Sequence, residues 1–237
     1  MSDACGVLSD GVSSDDAVSS SCGNESLAEL FQAVQFVLRM LKARRWQFAV
    51  PVFMTSWESF KQFAALTNMF GHDEERGGTY PALVMAGSRG QCKKRNGRVR
   101  DFVVIFQSDT LKKQQAGAVV QEHASPQQHS SRVLVVVQPA ASSQPARALL
   151  QAHFQRVETF TYLMCVLDCI RNPFVPVHRK LGRAEKREVL QKMPLKTLNK
   201  ILKDDPVVKW FGWKKNAVIE VRQPRLCGFL RNYRVVV

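Results

Sequence analysis

An α/β domain with a largely buried sheet, followed by a small α+β unit, is the architecture that this 237-residue sequence predicts. Three observations carry it. Up to about residue 170, segments with helical apolar spacing alternate with short, nearly continuous apolar runs, the pattern of helices layered on a sheet covered on both faces. Beyond residue 172, helix-capping and turn signals crowd together in a strongly basic segment. The length allows one large domain or two small ones, each with a real core.

Taken in order, residues 1–25 are Ser-rich and acidic with few large apolar groups, so they are expected to form a disordered tail. The residues Leu27, Leu30, Phe31, Val34, Phe36, Val37, Leu38 and Leu41 build a wide helical stripe that closes on Lys42, Arg44 and Arg45, where cations suit a helix C-terminus. Ser56 is placed to cap a second helix through Phe60, Phe63 and Leu66. Strands are expected at Ala82–Ala86, Phe102–Phe106, Val133–Val137 and Tyr162–Leu167, with a helix at Pro145–Phe154. Two insertions interrupt them: a basic one at 87–100 and a Gln/His/Ser-rich one at 112–131, the latter expected to be a flexible loop.

In the second unit Pro176 pushes Val175 toward extended backbone, so Phe174–His178 reads as a strand. Gly182 followed by Glu185 reads as a helix start, with Val189, Leu190 and Met193 on its apolar side. Asp205-Pro206 opens a short helix that Gly212 can close, and Asn216 can take left-handed backbone in the next turn. Ala217–Gln223 and Phe229–Val236 are expected to form an antiparallel pair around Pro224–Gly228. A unit of about 65 residues gains little stability alone and is expected to dock on something larger.

Charge narrows the function classes. The chain carries +14 overall, with five acids and no Lys or Arg in residues 1–26, and with sixteen basic residues against five acids in 172–237. A polyanion or an acidic protein surface is the expected partner. The six cysteines form no C-x-x-C pair, so no metal site is expected, and no cofactor is called for. Cys165 and Cys169 read as small core residues and the thiols as free in a reducing compartment. Neither a signal peptide nor a membrane span is expected. Nuclease chemistry on Mg²⁺ needs an acid two residues before a Lys beside another acid, and no Asp-x-Lys or Glu-x-Lys tripeptide occurs. The string from Gly87 to Lys94 lacks the glycine spacing of a phosphate loop.

The ordered series Asn172-Pro173-Phe174-Val175-Pro176-Val177-His178, Leu181, Glu185–Leu190, Asp205-Pro206-Val207-Val208, Phe211-Gly212-Trp213-Lys214, Arg222, Gly228 and Tyr233-Arg234 resembles the C-terminal assembly domain of the fifth subunit shared by eukaryotic nuclear RNA polymerases, a family with archaeal members that lack a jaw. The first part of the chain resembles, more faintly, the N-terminal jaw domain of the eukaryotic members, through the helix Leu27–Arg45, Trp46-Gln47-Phe48, Ser59-Phe60-Lys61, Phe102–Phe106, Val133–Gln138, Ala146–Leu150 and Val157–Phe160. The resemblance implies a nuclease-like mixed sheet with flanking helices at 26–170 and an assembly domain at 171–237. It implies a structural subunit of a nucleotidyltransferase complex, nuclear, present in one copy, with no active site of its own. Departures occur at Asn172, where the family usually has His, at Asn216-Ala217, at Pro224-Arg225-Leu226, and in a slightly short stretch between Leu190 and Asp205. They are similar to those of divergent second copies in trypanosomatid-type eukaryotes, implying service to one polymerase such as polymerase I and a nucleolar site.

The implied contacts with the largest polymerase subunit are Val175, Pro176, His178, Leu181, Asp205, Pro206, Gly212, Arg222, Gly228, Tyr233 and Arg234, with other small shared subunits nearby. Arg89, Lys93, Lys94 and Arg95 of the basic insertion could meet nucleic acid, and Pro145 and Arg147 match the jaw edge that approaches downstream duplex DNA. Such binding would be independent of base sequence. Net charge alone would equally suit a free-standing basic RNA-binding module. That alternative leaves the ordered C-terminal series unexplained.

Overall fold

In the computed structural model the described residues are 15–67, 83–89, 100–124, 132–225 and 228–237. Helix α1 (Asp15–Ala43) is followed by a single 3-10 turn and by α2 (Trp57–Leu66), which Ser56 caps by accepting a hydrogen bond from the Ser59 amide. Strands β1 (Met85–Arg89) and β2 (Arg100–Phe106) pair antiparallel. Then come α3 (Lys113–His123), β3 (Val133–Gln138), α4 (Gln144–His153) and β4 (Arg156–Thr161), with β2, β3 and β4 parallel in the sheet order β1-β2-β3-β4. Alternation along each strand divides the buried residues between two layers. Phe102, Val104, Phe106, Val133, Val135, Val137 and Phe160 meet α1 and α2, whereas Val103, Ile105, Leu134 and Val136 meet α3 and α4. Because both faces are covered, β3 is buried along its whole length.

Four expectations are corrected here. The backbone of α1 begins at Asp15, so residues 15–25 are helical where a disordered tail was expected. Extending a helix already nucleated by the apolar stripe costs less than starting one. Residues 113–123 are helical where a flexible loop was expected, because Ala116 and Val119, three apart, bury against the sheet. Residues Tyr162–Leu167 form a helix, α5, and not a strand. Thr161 ends β4 and caps α5 through its Oγ1, which accepts from the Met164 amide at 3.3 Å. The Phe174–His178 strand is shorter and later: Asn172 folds the chain, its carbonyl and side-chain oxygens accepting from the Val175 and Phe174 amides, and strand β5 is Val177–Lys180.

The second sheet has the order β5-β7-β8-β6, built with β6 (Asn199–Ile201), β7 (Val218–Arg225) and β8 (Gly228–Val236). One face packs on α7 (Pro206–Phe211) through Ile201, Val207, Val208, Trp213, Ile219, Val221 and Val236. The other packs on α6 (Arg183–Lys192) through Leu181, Leu198, Val218 and Val235, with Val189 and Leu190 against them and Met193 39% exposed at the helix end. The expected caps are formed. The Gly182 amide donates to Glu185 Oε2 at 2.8 Å, and Asp205 Oδ1 accepts from the Val207 and Val208 amides at 2.9 and 3.4 Å. Gly212 closes α7 at φ +65° and Asn216 sits at φ +65°, both left-handed. Ile170 packs against both cores and so marks the junction between the sheets. No described helix is long and apolar enough to cross a membrane.

Candidate assembly interface

The junction is held by buried charge. Arg44, just past the end of α1, donates to Glu158 Oε2 of β4 at 2.7 Å and to the carbonyls of Trp210 (2.8 Å) and Lys209 at the end of α7. Arg156 pairs with the other Glu158 oxygen at 2.7 Å and donates to the Gly212 carbonyl at 3.0 Å. Two guanidiniums thus face one carboxylate plus the negative end of a helix, whose last carbonyls have no partner within the helix. The Arg44 and Glu158 side chains are only 9% and 7% exposed. Burial, the largest influence, pulls the Arg44 pKa down, and Glu158 opposes it. Lys209 lies over the Phe160 ring at 5.6 Å, and burial pulls its pKa down too, with Asp204 opposing. Sequence reasoning assigns Arg44 to a helix-end charge and misses this joint, since its acceptors lie 114 to 166 residues away.

The residues expected at the partner surface separate into groups. Leu181 is packed inside the C-terminal domain's own core and supports a surface from beneath. Asp205 and Gly212 serve as the caps of α7, with Pro206 exposed in its first turn, and Gly212 is turned toward Arg44 and Arg156 of the first domain. Val175 is half-buried on the α7 side of the second sheet. His178, on the same face as Val221 and Val236, donates from Nδ1 to the Pro176 carbonyl at 2.6 Å. Arg234, paired in register with Asn199 and Ile219, is near enough to His178 to act on its charge. Arg222 and Tyr233 lie on the opposite face, and Gly228 starts β8 exposed at φ +115°. The set therefore spans both faces of the second sheet.

Among the residues expected to meet nucleic acid, Pro145 and Arg147 are exposed in the first turn of α4, and the backbone of Arg89 ends β1. Lys93, Lys94 and Arg95 lie outside the described residues. The four tryptophans pack against aromatic neighbours: Trp46 on Phe102, Trp57 on Phe31, Trp210 and Trp213 on Phe211.

Two further features are not legible in the sequence. Beneath Glu220, 2% exposed in β7, sit Arg179 at 2.8 Å and Arg222 at 3.0 Å. The Arg222 hydrogen bond holds the Glu220 carboxyl below its usual range against the opposing effect of burial, and Arg179 adds to it. A groove of about 650 Å³ runs between α1 and the α5–β5 connection, lined by Phe31, Gln35, Arg39, Leu167, Asp168 and Phe174 among others, with Arg39 and Asp168 paired at 2.5 Å. Leu163, Leu167 and Phe174 are 65%, 67% and 91% exposed beside it. Leu163 and Leu167 are hidden from sequence reasoning because α5 has the composition of a buried strand, and Phe174 because the turn at Asn172 replaces the expected strand there.

His178 also sets a pH dependence. Burial, the dominant influence, lowers its pKa below the usual 6.5, against the opposing effects of the Pro176 carbonyl and Asp205. The unfolded chain therefore takes up the proton first as pH falls, so stability is full above about pH 6.5 and declines as pH drops through the lower folded value. His123 is lowered by burial as well and contributes with the same sign. A His178→Asn variant is expected to show a shallower decline in urea midpoint between about pH 7 and pH 5 than the parent. An unchanged slope would assign the whole effect elsewhere.

A small mixed sheet clasped by two short helices is joined by a buried charge cluster to an α/β layer domain. Residues 167–236, under a third of the chain, match the family model described as RNA polymerase Rpb5, C-terminal domain. The match begins at the end of α5 and takes in every strand of the second sheet. It supports an Rpb5-type RNA polymerase subunit.

Proposed function

We propose that this chain is a non-catalytic subunit of a nuclear DNA-directed RNA polymerase, anchored to the largest subunit by its C-terminal domain. The carrying observation is the family match over residues 167–236, which coincides with one folded unit. On this reading residues 26–170 are the jaw, lying along downstream duplex DNA with Pro145 and Arg147 at its edge, and Val175, Pro176, His178, Arg222, Tyr233 and Arg234 belong to the docking surface. The Arg44–Glu158–Arg156 joint supports the reading mechanically, since a jaw can hold DNA only if it is rigidly coupled to its anchor. Phosphoryl transfer belongs to the large subunits; this chain positions and supports. The departures at Asn172, Asn216-Ala217 and Pro224-Arg225-Leu226 favour a divergent copy dedicated to polymerase I, and hence a nucleolar site.

Affinity purification of the tagged full-length chain with quantitative mass spectrometry tests this. The largest subunit of polymerase I is expected in amounts matching the bait. Equal recovery of all three nuclear polymerases would remove the dedication and keep the subunit role. A chain that sediments alone and binds RNA at physiological salt would replace the proposal with a free-standing RNA-binding module.

A further inference from the structure

Cross-strand register orders the α6 side of the second sheet into rows. Val218 and Val235 form the innermost row, buried with Leu181 under α6. Next come Arg179, Glu220 and Tyr233, then Val177, Arg222 and Arg231, then Pro224 and Phe229. The core stops at Tyr233, so the last two rows extend past α6 and stand open. Val177 is 66% exposed and Phe229 72%, and the Arg222 and Arg231 side chains are 39% and 63% exposed.

Charge along these rows is unbalanced in a directed way. Arg179 is satisfied, hydrogen-bonded to both Glu220 and Glu185. Arg222 has one bond to Glu220, while its buried Nε has no partner. Arg231 comes no closer than 3.8 Å to Glu220, beyond hydrogen-bond distance. Arg222 and Arg231 are also directly opposite each other across β7 and β8, and like charges in that relation destabilise a strand pair. Two partly exposed guanidiniums therefore lie side by side, neither fully engaged by Glu220, with exposed apolar groups in their own row and the next.

We propose that this row is a docking site for an acidic, apolar-anchored segment of a protein partner, with a carboxylate bridging Arg222 and Arg231 and an apolar side chain seated against Val177 and Phe229. A carboxylate matches the planar fork of a guanidinium in a bidentate pair, and bridging two of them relieves their mutual repulsion. The apolar flanks favour polypeptide over nucleic acid: a phosphate backbone would leave Val177 unused and offer Phe229 a single base at most. The inference rests on the polymerase-subunit reading only in that the partner would be one of the assembled subunits.

The test uses the full-length chain expressed in cells, with p-benzoylphenylalanine installed at Phe229 and, separately, Arg231→Glu. Both positions are exposed enough to spare the fold, whereas Arg222 substitution would take from buried Glu220 one of its two hydrogen-bonded arginines. Irradiation of the purified assembly is expected to join position 229 to a peptide carrying at least two Asp or Glu within a few residues of an apolar side chain. Arg231→Glu is expected to cut recovery of the crosslinked subunit about fivefold or more. Attachment to nucleic acid, attachment to a segment without acids, no attachment within an intact assembly, or undiminished recovery with Arg231→Glu would each overturn the proposal. If the parent chain brings down no polymerase subunits, the subunit reading fails first, and the crosslink then reports on whichever protein partner remains.

Discussion

Arg44→Ala is expected to lower the unfolding free energy by about 3–5 kcal/mol, a large share of the roughly 5–15 kcal/mol that holds a typical domain folded. The guanidinium makes three bonds at once, to Glu158 and to the carbonyls of Lys209 and Trp210. Removing it strips the Trp210 carbonyl of its donor, at about 1–3 kcal/mol, together with a charged hydrogen bond to Glu158, while the Lys209 carbonyl keeps the Gly212 amide at 3.0 Å. Glu158 keeps Arg156 at 2.7 Å, so the carboxylate is weakened without being stranded. The loss falls between the domains more than inside either one. Urea unfolding should therefore change from one transition to two, with the C-terminal domain melting first. Arg44→Lys should recover only part of the loss, because a single ammonium on a flexible stem cannot reproduce the planar fork. A change below about 1 kcal/mol in Arg44→Ala would show that the joint contributes little.

Local signals in the sequence are legible wherever one residue type answers one local need. Asp205, Gly182 with Glu185, Gly212 and Asn216 each do what their chemistry requires at a helix end or turn. The β7–β8 pair and the strands β2 and β3 are legible because their apolar residues pack on the sheet in the period their spacing implies. Errors arise where composition outweighs spacing. The Gln-rich run 112–123 conceals a helix whose buried side is only Ala116 and Val119. In α5, six residues that would suit a buried strand are helical because Thr161 caps them, leaving Cys165 buried and Leu163 and Leu167 outside.

The candidate site is legible in identity more than in arrangement. Asp205, Gly212, Arg222 and Tyr233 stand out by their order along the chain, yet order says nothing about which face a residue occupies. Register decides that: Arg222 opposes Arg231 and Val177, while His178 opposes Val221 on the other face. The charge cluster at Arg44 is beyond sequence reading, because pairing a helix-end Arg with a strand carboxylate and a distant helix terminus requires knowing the packing of three elements. Glu220 is similarly hidden. A lone acid in a basic strand looks like solvent-facing balance, until the sheet folds three arginines around it.

Phe102→Ala is expected to cost about 3–5 kcal/mol, the range for deleting a buried aromatic ring. Phe102 is 1% exposed on β2 and meets the Trp46 ring at 5.0 Å and the Phe48 ring at 6.1 Å, both edge-on. It also lies against Gly87 on the neighbouring strand, where an added Cβ would stand 2.6 Å from its ring. Beside the Gln47 backbone that lies against Gly87, aromatic contacts on this one side chain thus help fasten the start of the α1–α2 connection to the sheet. Its loss should free that connection as well as open a cavity, since Trp46 and Phe48 are themselves only partly buried and have no second ring to turn to among their described contacts. Hydrogen exchange is the discriminating measurement. Faster exchange confined to residues 46–54 and to β1, with the second sheet unaffected, would place the damage in this fastening. Uniformly faster exchange across both sheets would mean that Phe102 acts only through global stability, and a cost under about 2 kcal/mol would mean that neighbouring side chains collapse into the space.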